Sequence, residues 1–467
     1  MYRYPVKSDW LTSLWEPVSF VRLPVFLYLA MVLLIFITSF FELLYHSEIQ
    51  TLAGVMYITG LVIFLSCKTP LRRSFIAWVL LASILVPLIT WVLMKLEHPD
   101  MARSAPNLDD LITKFLFIIP AFMLAGSQKN LFWVWGAAAV SALIMPWVAG
   151  DGWQEFVGAW AGRRATYGDS PIAIGIVYGT LLIAVFIFGK KVVFKPAFSY
   201  VRCCLWLCLL VYIGFLTFTT QSRAVYLGIA VVMTLAVLCL AVYCGFSGSG
   251  RFPKKRVIVP LLVVVVVGLV VLFNSATFDQ TIAKTQNEIR NIMPALQGDV
   301  EDIPRSSAGL RLIFWVDATH WTLERPLFGW GYRAGRMMHD EAQNYFNAPS
   351  GRRLFRTIHN TYLELTISYG LVGLALFTAF FVWFFRRMHM AWKDGVLPQD
   401  IYVFTVFALI FYAVCGVFYS SLFIGTPIFL FNMVLLGAAT FIFKHIVEYE
   451  GDAAFKVETE AGSKADS

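Results

Sequence analysis

The chain has 467 residues, 59% hydrophobic and 16% aromatic, with only 14% charged. A soluble domain carries about a quarter charged residues, so the composition excludes an ordinary soluble fold and points to helices in lipid, roughly 20 residues each. The net charge of +8 raises nucleic acid as a partner, but the placement of the basic residues argues against it.

Apolar runs lie at about 24–44, 51–67, 75–95, 112–127, 131–149, 171–188, 200–218, 222–245, 256–274, 361–385, 401–420 and 424–444. By the length rule these predict an all-α, polytopic integral membrane protein with about twelve transmembrane helices. The run at 24–44 is too long for a signal-peptide core and lacks a small-residue cleavage site, so it stays as a span. Lys and Arg placement sets the orientation. With the N-terminus inside, the inside segments hold Arg3, Lys7, Arg22, Lys68, Arg72, Arg73, Lys129, Lys190, Lys191, Lys195 and Arg202. Further along they hold Arg251, Lys254, Lys255, Arg256, Arg386, Arg387, Lys393 and Lys444, while the short outside connections hold fewer. Both termini are therefore expected inside, and the basic charge is a topology signal that implies no nucleic acid.

The chain divides into spans one to nine (1–274), one long outside loop (275–360), three last spans (361–444) and a tail (445–467) whose polar composition suggests disorder. Within the loop, Thr277–Leu296 has an amphipathic pattern, and Ser306 and Ser307 cap a helix to about Leu323. Pro326 with Gly329, Gly331 and Gly335 breaks the chain into a turn, and a short helix is expected around Met337–Phe346. The seven cysteines lie in or beside apolar runs without a CxxC spacing, which implies buried thiols, with no disulfide framework and no zinc site.

Three positions stand out as carriers of chemistry. Arg223 begins an apolar run on the outer side, where a cation opposes the helix dipole and a bound anion would compensate; taken alone, an arginine snorkelling to lipid headgroups is the ordinary reading. Arg311 shares a helix face with Trp315 and Ala318, so stacking can hold its fork towards a phosphate, although a plain surface arginine has the same pattern. His359 stands at the expected start of a span, where positive helix potential favours the neutral imidazole that a general base needs. A boundary histidine bonded to backbone is the bland alternative. Asp299, Glu301 and Asp302 form an acidic cluster in a polar turn, read as a solvated loop, so arginines are favoured over a metal for neutralising phosphate. Glu364 and Lys114 sit near span ends only, which counts against an ion-coupled transporter.

Together these pieces resemble the O-antigen ligase and polymerase superfamily, and most closely the ligases of lipopolysaccharide biosynthesis. The matching residues are Ser222-Arg-Ala, Arg311 with Trp315, Phe328-Gly-Trp-Gly-Tyr332, and His359-Asn-Thr-Tyr-Leu-Glu-Leu followed by Gly370-Leu-Val-Gly-Leu374. The motifs fall between about 221 and 375, and elsewhere only the hydropathy layout is similar. The resemblance implies a metal-independent, cofactor-free and inverting glycosyltransferase of the bacterial inner membrane, with its long loop and active site in the periplasm. Its partners would be an undecaprenyl-pyrophosphate-linked glycan as donor, lipid A–core as acceptor, and the surrounding membrane lipids. The family's essential groups fall here on Arg223, Arg311 and His359. Ser222, Trp315, Tyr332 and Asn360 are expected to contact substrate, as are Arg163 and Arg164 on the same side. An O-antigen polymerase, a protein O-oligosaccharyltransferase and a lipid-linked glycan flippase are the rival readings. The small 150–170 connection leans towards the ligase, because a polymerase carries its key arginines in two sizeable loops.

Overall fold

The structure, a computed structural model, describes residues 1–4, 15–194, 196–246, 286, 307–342 and 357–465. It is an all-α polytopic membrane protein, with one small antiparallel pairing of β1 (Tyr2–Arg3) and β2 (Val18–Ser19). The helices run α1 (Val25–Phe41), α2 (His46–Ser66), α3 (Phe75–Glu97), α4 (Asp109–Ile112), α5 (Ile118–Leu124), α6 (Gln128–Val148) and α7 (Trp153–Trp160). They continue as α8 (Pro171–Phe194), α9 (Tyr200–Thr219), α10 (Arg223–Phe246), α11 (Ser307–Glu324) and α12 (Ala334–Ala342). The last three are α13 (Thr361–Lys393), α14 (Gln399–Phe418) and α15 (Gly425–Ala465). Among the described residues, eight helices are long and apolar enough to cross a membrane, and α1 and the Arg223–Cys239 part of α10 are apolar but shorter. The expected span at 256–274, the helix at Thr277–Leu296 and the acidic cluster Asp299, Glu301 and Asp302 lie outside the described residues. So do Ser306 and the end of the expected helix at Met337–Phe346.

α15 is the central post. Its apolar window is 89% buried inside the protein, against 33% for α2 and α9. The helix continues through the polar tail to Ala465. Glu, Ala and Lys in that stretch are good helix formers.

The apolar run at 112–127 departs from the expected straight span. It folds as α4, a 3-10 turn at Thr113–Phe115, and α5, which ends on the left-handed residues Ala125 and Gly126. Irregular backbone at membrane depth survives only where protein supplies its hydrogen bonds. α15 supplies them: Phe117 N–H donates to Asn432 Oδ1 at 2.9 Å, and Gly126 N–H to Thr440 Oγ1 at 2.8 Å. Asn432 Nδ2 in turn donates to Thr113 O at 3.0 Å. Hydropathy alone does not register this exchange of side-chain for main-chain partners.

α13 is also broken. Gly370 has φ 62° and ψ −160° inside it, and the segment after α11 docks into the gap. Leu371 and Val372 N–H donate to Pro326 O and Leu327 O at 2.7 and 3.0 Å, while Trp330 and Gly331 N–H donate to Ile367 O and Ser368 O, both at 2.8 Å. A side chain has no room there. A Cβ on Gly370 would stand 2.3 Å from the Leu327 backbone, and one on Gly329 2.5 Å from Ile367 O. Two glycines thus let backbone meet backbone and pin α11 and α12 onto one end of the bundle. Gly370→Ala adds both a clash and an unfavourable positive φ, and should destabilise the fold by about 3 kcal/mol or more. Thermal unfolding in detergent measures this, and an unchanged midpoint would contradict the docking.

Candidate active site

The carboxyl end of α14 is where the sequence motifs meet. Cys415 Sγ donates to Ala224 O at 3.7 Å, one residue from Arg223. Three residues on, Phe418 packs against Trp315 with ring centroids 6.5 Å apart, one helical turn from Arg311. Tyr419, 3% exposed, lies parallel to the His359 ring at 6.1 Å. Residues three apart share a helix face, so α10 and α11 flank the same turn of α14, and His359, just before α13, stacks on the residue that follows that turn.

The first arginine group is set by a tight turn between α9 and α10. Gln221 has φ 47°, an uncommon value for a residue with a side chain, and Arg223 opens α10 two residues on. Gly175 of α8 makes room: a Cβ there would lie 2.8 Å from Val225 and 3.0 Å from Thr220. Arg164 joins the group, its Nε donating to Thr220 O at 3.1 Å. Partial loss of hydration lowers the Arg164 pKa, and the like charge of Arg223 lowers it further. Arg163 is exposed and lies across Gly158, while Gln221 Nε2 holds the backbone carbonyls of Gly162 and Arg163 at 3.1 and 3.3 Å. Two guanidiniums beside a helix amino terminus form a pole that favours an anion.

The second group surrounds His359. Its φ is 58°, so this residue is also held in a left-handed conformation that side chains adopt rarely. Its pKa is pushed down to about 4, first by burial, then by the Arg311 charge and then by His339. The imidazole is therefore neutral at ordinary pH. The direction agrees with the expectation from helix potential, but the causes are burial and Arg311. His339 is itself held towards the neutral form by burial, with Nε2 3.1 Å from Thr357 O and its ring edge-on to Phe314 at 4.3 Å.

Two buried polar atoms at this end, Ser222 Oγ and Trp315 Nε1, have no hydrogen-bond partner among the described residues. Leaving such an atom unsatisfied costs about 1–3 kcal/mol, which a polar ligand between the arginine groups would offset. Two expected substrate contacts also have partners within the protein. Asn360 is the amino-terminal cap of α13, its Oδ1 accepting from Tyr362 and Leu363 N–H at 3.0 and 3.1 Å. Tyr332 lies between the guanidiniums of Arg103 and Arg333, each 4.9 Å from its ring, in a groove with Trp91 and Trp330. Tyr419 and His339 were not singled out from sequence. The polar Tyr419-Ser-Ser421 interruption between two apolar runs was the available signal for the first, whereas His339 carries none.

Among the described residues no group of three or more His, Cys, Asp or Glu side chains is placed to hold a metal ion. Residues 208–378 match the family model described as O-Antigen ligase. No curated protein matches the chain. The matched stretch contains Arg223, Arg311 and His359, and leaves out Arg163, Arg164 and Tyr419. The match supports the O-antigen ligase and polymerase superfamily and a glycosyltransferase-like enzyme acting in the membrane on a lipid-linked glycan.

The electrostatics of His359 can be measured directly. Its folded pKa of about 4 lies below the ordinary 6.5, so the unfolded chain binds more protons between those values. This group's share of stability is complete above pH 6.5 and is lost as pH falls through that window towards 4. Arg311→Ala removes a like charge and should raise the His359 titration midpoint, as followed by NMR of labelled histidine. A midpoint near 6.5 in the parent, unmoved by the substitution, would contradict the arrangement.

Proposed function

We propose that this chain is a membrane glycosyltransferase that moves O-antigen from undecaprenyl pyrophosphate onto a sugar hydroxyl of lipid A–core in the bacterial inner membrane. The observation that carries the reading is the meeting at one end of α14 of half-buried His359, stacked on Tyr419 and held towards the neutral form by burial and the Arg311 charge, with the Arg223 group. The family match over 208–378 supports the same chemistry. In this reading Arg223 and Arg311 clamp the donor diphosphate through charge-assisted, forked hydrogen bonds. Arg164 adds positive potential, and Ser222 and Trp315 supply the remaining polar contacts.

The reaction follows from these roles. The acceptor hydroxyl gives its proton to the His359 imidazole as its oxygen bonds to the anomeric carbon of the donor. The bond from that carbon to the diphosphate oxygen breaks, and the electron pair leaves with undecaprenyl pyrophosphate. The arginines stabilise the charge as it grows on the leaving group. Direct displacement of this kind inverts the anomeric centre. Guanidiniums take the part that a metal ion plays in other diphosphate-dependent transferases, so neither a metal nor an organic cofactor enters. The long loop and the site face the periplasm, with both termini in the cytoplasm, in keeping with the distribution of Lys and Arg.

The test uses purified protein in detergent with excess chelator, the lipid-linked donor, and each acceptor in turn. Transfer to lipid A–core with release of undecaprenyl pyrophosphate is the expected result. Lengthening of the lipid-linked glycan would instead make the chain a polymerase, and glycan on an added protein would make it a protein O-oligosaccharyltransferase. Donor movement across a bilayer without diphosphate release would make it a flippase, and activity restored only by magnesium or manganese would overturn the metal-independent mechanism.

Within that assay His359→Ala should lower turnover about 10²- to 10⁴-fold, the usual contribution of a positioned base, with donor affinity kept. Loss of donor binding together with turnover would make His359 a phosphate contact and not the base. Lysine at both Arg223 and Arg311 should cost roughly 10²-fold or more, because a point charge does not reproduce the fork. Full activity of the double lysine variant would remove the clamp from the mechanism.

A further inference from the structure

We infer that Glu364 is the positioning residue for His359: its carboxylate ties together the two chain segments that hold the imidazole. The inference rests on the reading of His359 as the base. Glu364 is 3% exposed, one turn into α13. Its Oε2 accepts from Ile358 N–H at 2.8 Å and from the Ser420 hydroxyl at 3.0 Å. Ile358 immediately precedes His359, and Ser420 immediately follows Tyr419, whose ring lies against the imidazole.

One carboxylate oxygen therefore fixes the residue before the base and the residue after its stacking partner. The turn needs such a hold. His359 sits at φ 58°, a conformation that persists only where the surroundings over-determine it. Other bonds steady the same pair of segments. Thr361 Oγ1 donates to Tyr419 O at 2.8 Å and accepts from Ser421 N–H at 2.9 Å, and Tyr419 OH and Ser170 Oγ are 2.7 Å apart. The two Thr361 bonds keep the Tyr419 segment against α13, and the Ser170 bond ties Tyr419 to the start of α8. The bond to Ile358 reaches the chain on the far side of His359, where His339 Nε2 also meets Thr357 O at 3.1 Å; the Glu364 carboxylate joins that side to the Tyr419 segment. From the opposite direction, Gly335 of α12 leaves space for the carboxylate: a Cβ there would stand 2.5 Å from Glu364 Oε1. α12 thus packs directly on the positioning group, and a shift of α12 would reach the imidazole through it.

The experiment compares turnover and donor affinity for four variants in detergent, with folding checked by size exclusion and thermal unfolding. Glu364→Gln keeps an acceptor for both bonds and should stay close to the parent. Glu364→Leu fills similar space without accepting, and should lower turnover on the order of 10²-fold, the effect of a misplaced catalytic group, while donor affinity stays at the parental value. Gly335→Ala presses on the carboxylate without removing a partner and should give a smaller loss of the same kind; it carries the test if Glu364→Leu does not fold. His359→Ala separates the two readings. If it is inactive while Glu364→Leu or Gly335→Ala turns over like the parent, the positioning role is overturned and the base stands. If His359→Ala is itself fully active, the base assignment fails and the positioning role fails with it. Loss of donor affinity in step with turnover in Glu364→Leu would likewise overturn the inference, because it would show general damage to the site.

Discussion

The site depends on a place where a membrane helix gives up its own hydrogen bonds. At Gly370 the ladder of α13 stops, and four main-chain groups find partners in the 326–331 segment. In lipid an unsatisfied N–H or C=O costs several kcal/mol, so the break and the docked segment require each other. Everything attached to that segment is thereby fixed on the bundle. α11 with Arg311 precedes it, and α12 with His339 follows it. The glycines of the Phe328-Gly-Trp-Gly-Tyr332 stretch are therefore scaffold before they are chemistry. The same segment places the Trp330 ring 4.6 Å from Trp321, with Trp330 Nε1 donating to Trp321 O at 2.8 Å, which ties the end of α11 to the turn.

From this anchoring comes the electrostatic character of the centre. A guanidinium and an imidazole brought together away from water cannot both carry charge cheaply. Burial is the first cause that holds His359 towards the neutral form, and the Arg311 charge, which a guanidinium does not give up in proteins, adds to it. In the proposed transfer a neutral base would take the acceptor's proton and a permanently charged cation would stabilise the departing diphosphate. Binding of the anionic donor would act the other way on the imidazole, offsetting Arg311 and moving its pKa back up as chemistry begins.

Much of this was legible in the sequence, for reasons that can be named. Apolar runs report spans because lipid tolerates little else, and Ser307 and Arg223 mark helix starts where they were expected. What escaped was main-chain chemistry. Asn432 and Thr440 lie within the apolar run at 424–444 and were not singled out, yet they hold the irregular crossing at 109–126. Gly370 stood out only as the start of a family-like motif, with no sign that it breaks α13. Tyr332, expected from its motif to contact substrate, lies against the guanidiniums of Arg103 and Arg333, a pairing its sequence position does not reveal. The neutrality of His359 was anticipated from the helix end alone, because burial by Tyr419 and the approach of Arg311 are contacts between segments 48 to 60 residues apart in the chain.

The buried ionisable residues near the span ends complete the picture. From sequence, Lys114 and Glu364 counted against ion transport only by their position. The structure gives them partners. Lys114, 1% exposed, donates to Asp110 O at 2.6 Å, stands 3.4 Å from Asp110 Oδ1 and faces the Phe423 ring at 4.3 Å. The Tyr369 hydroxyl donates to the other Asp110 oxygen. Tyr369 is the residue before the break at Gly370, and Phe423 lies just ahead of α15. Breaking a buried pair of this kind leaves an uncompensated charge, at a cost of about 3–5 kcal/mol. Such a cluster resists rearrangement, whereas ions that cross a transporter need groups that exchange partners. The paired charges therefore fit a static brace between the irregular crossing, the broken helix and the central post, and it is this bracing that lets a strained histidine turn stand at a fixed place above them.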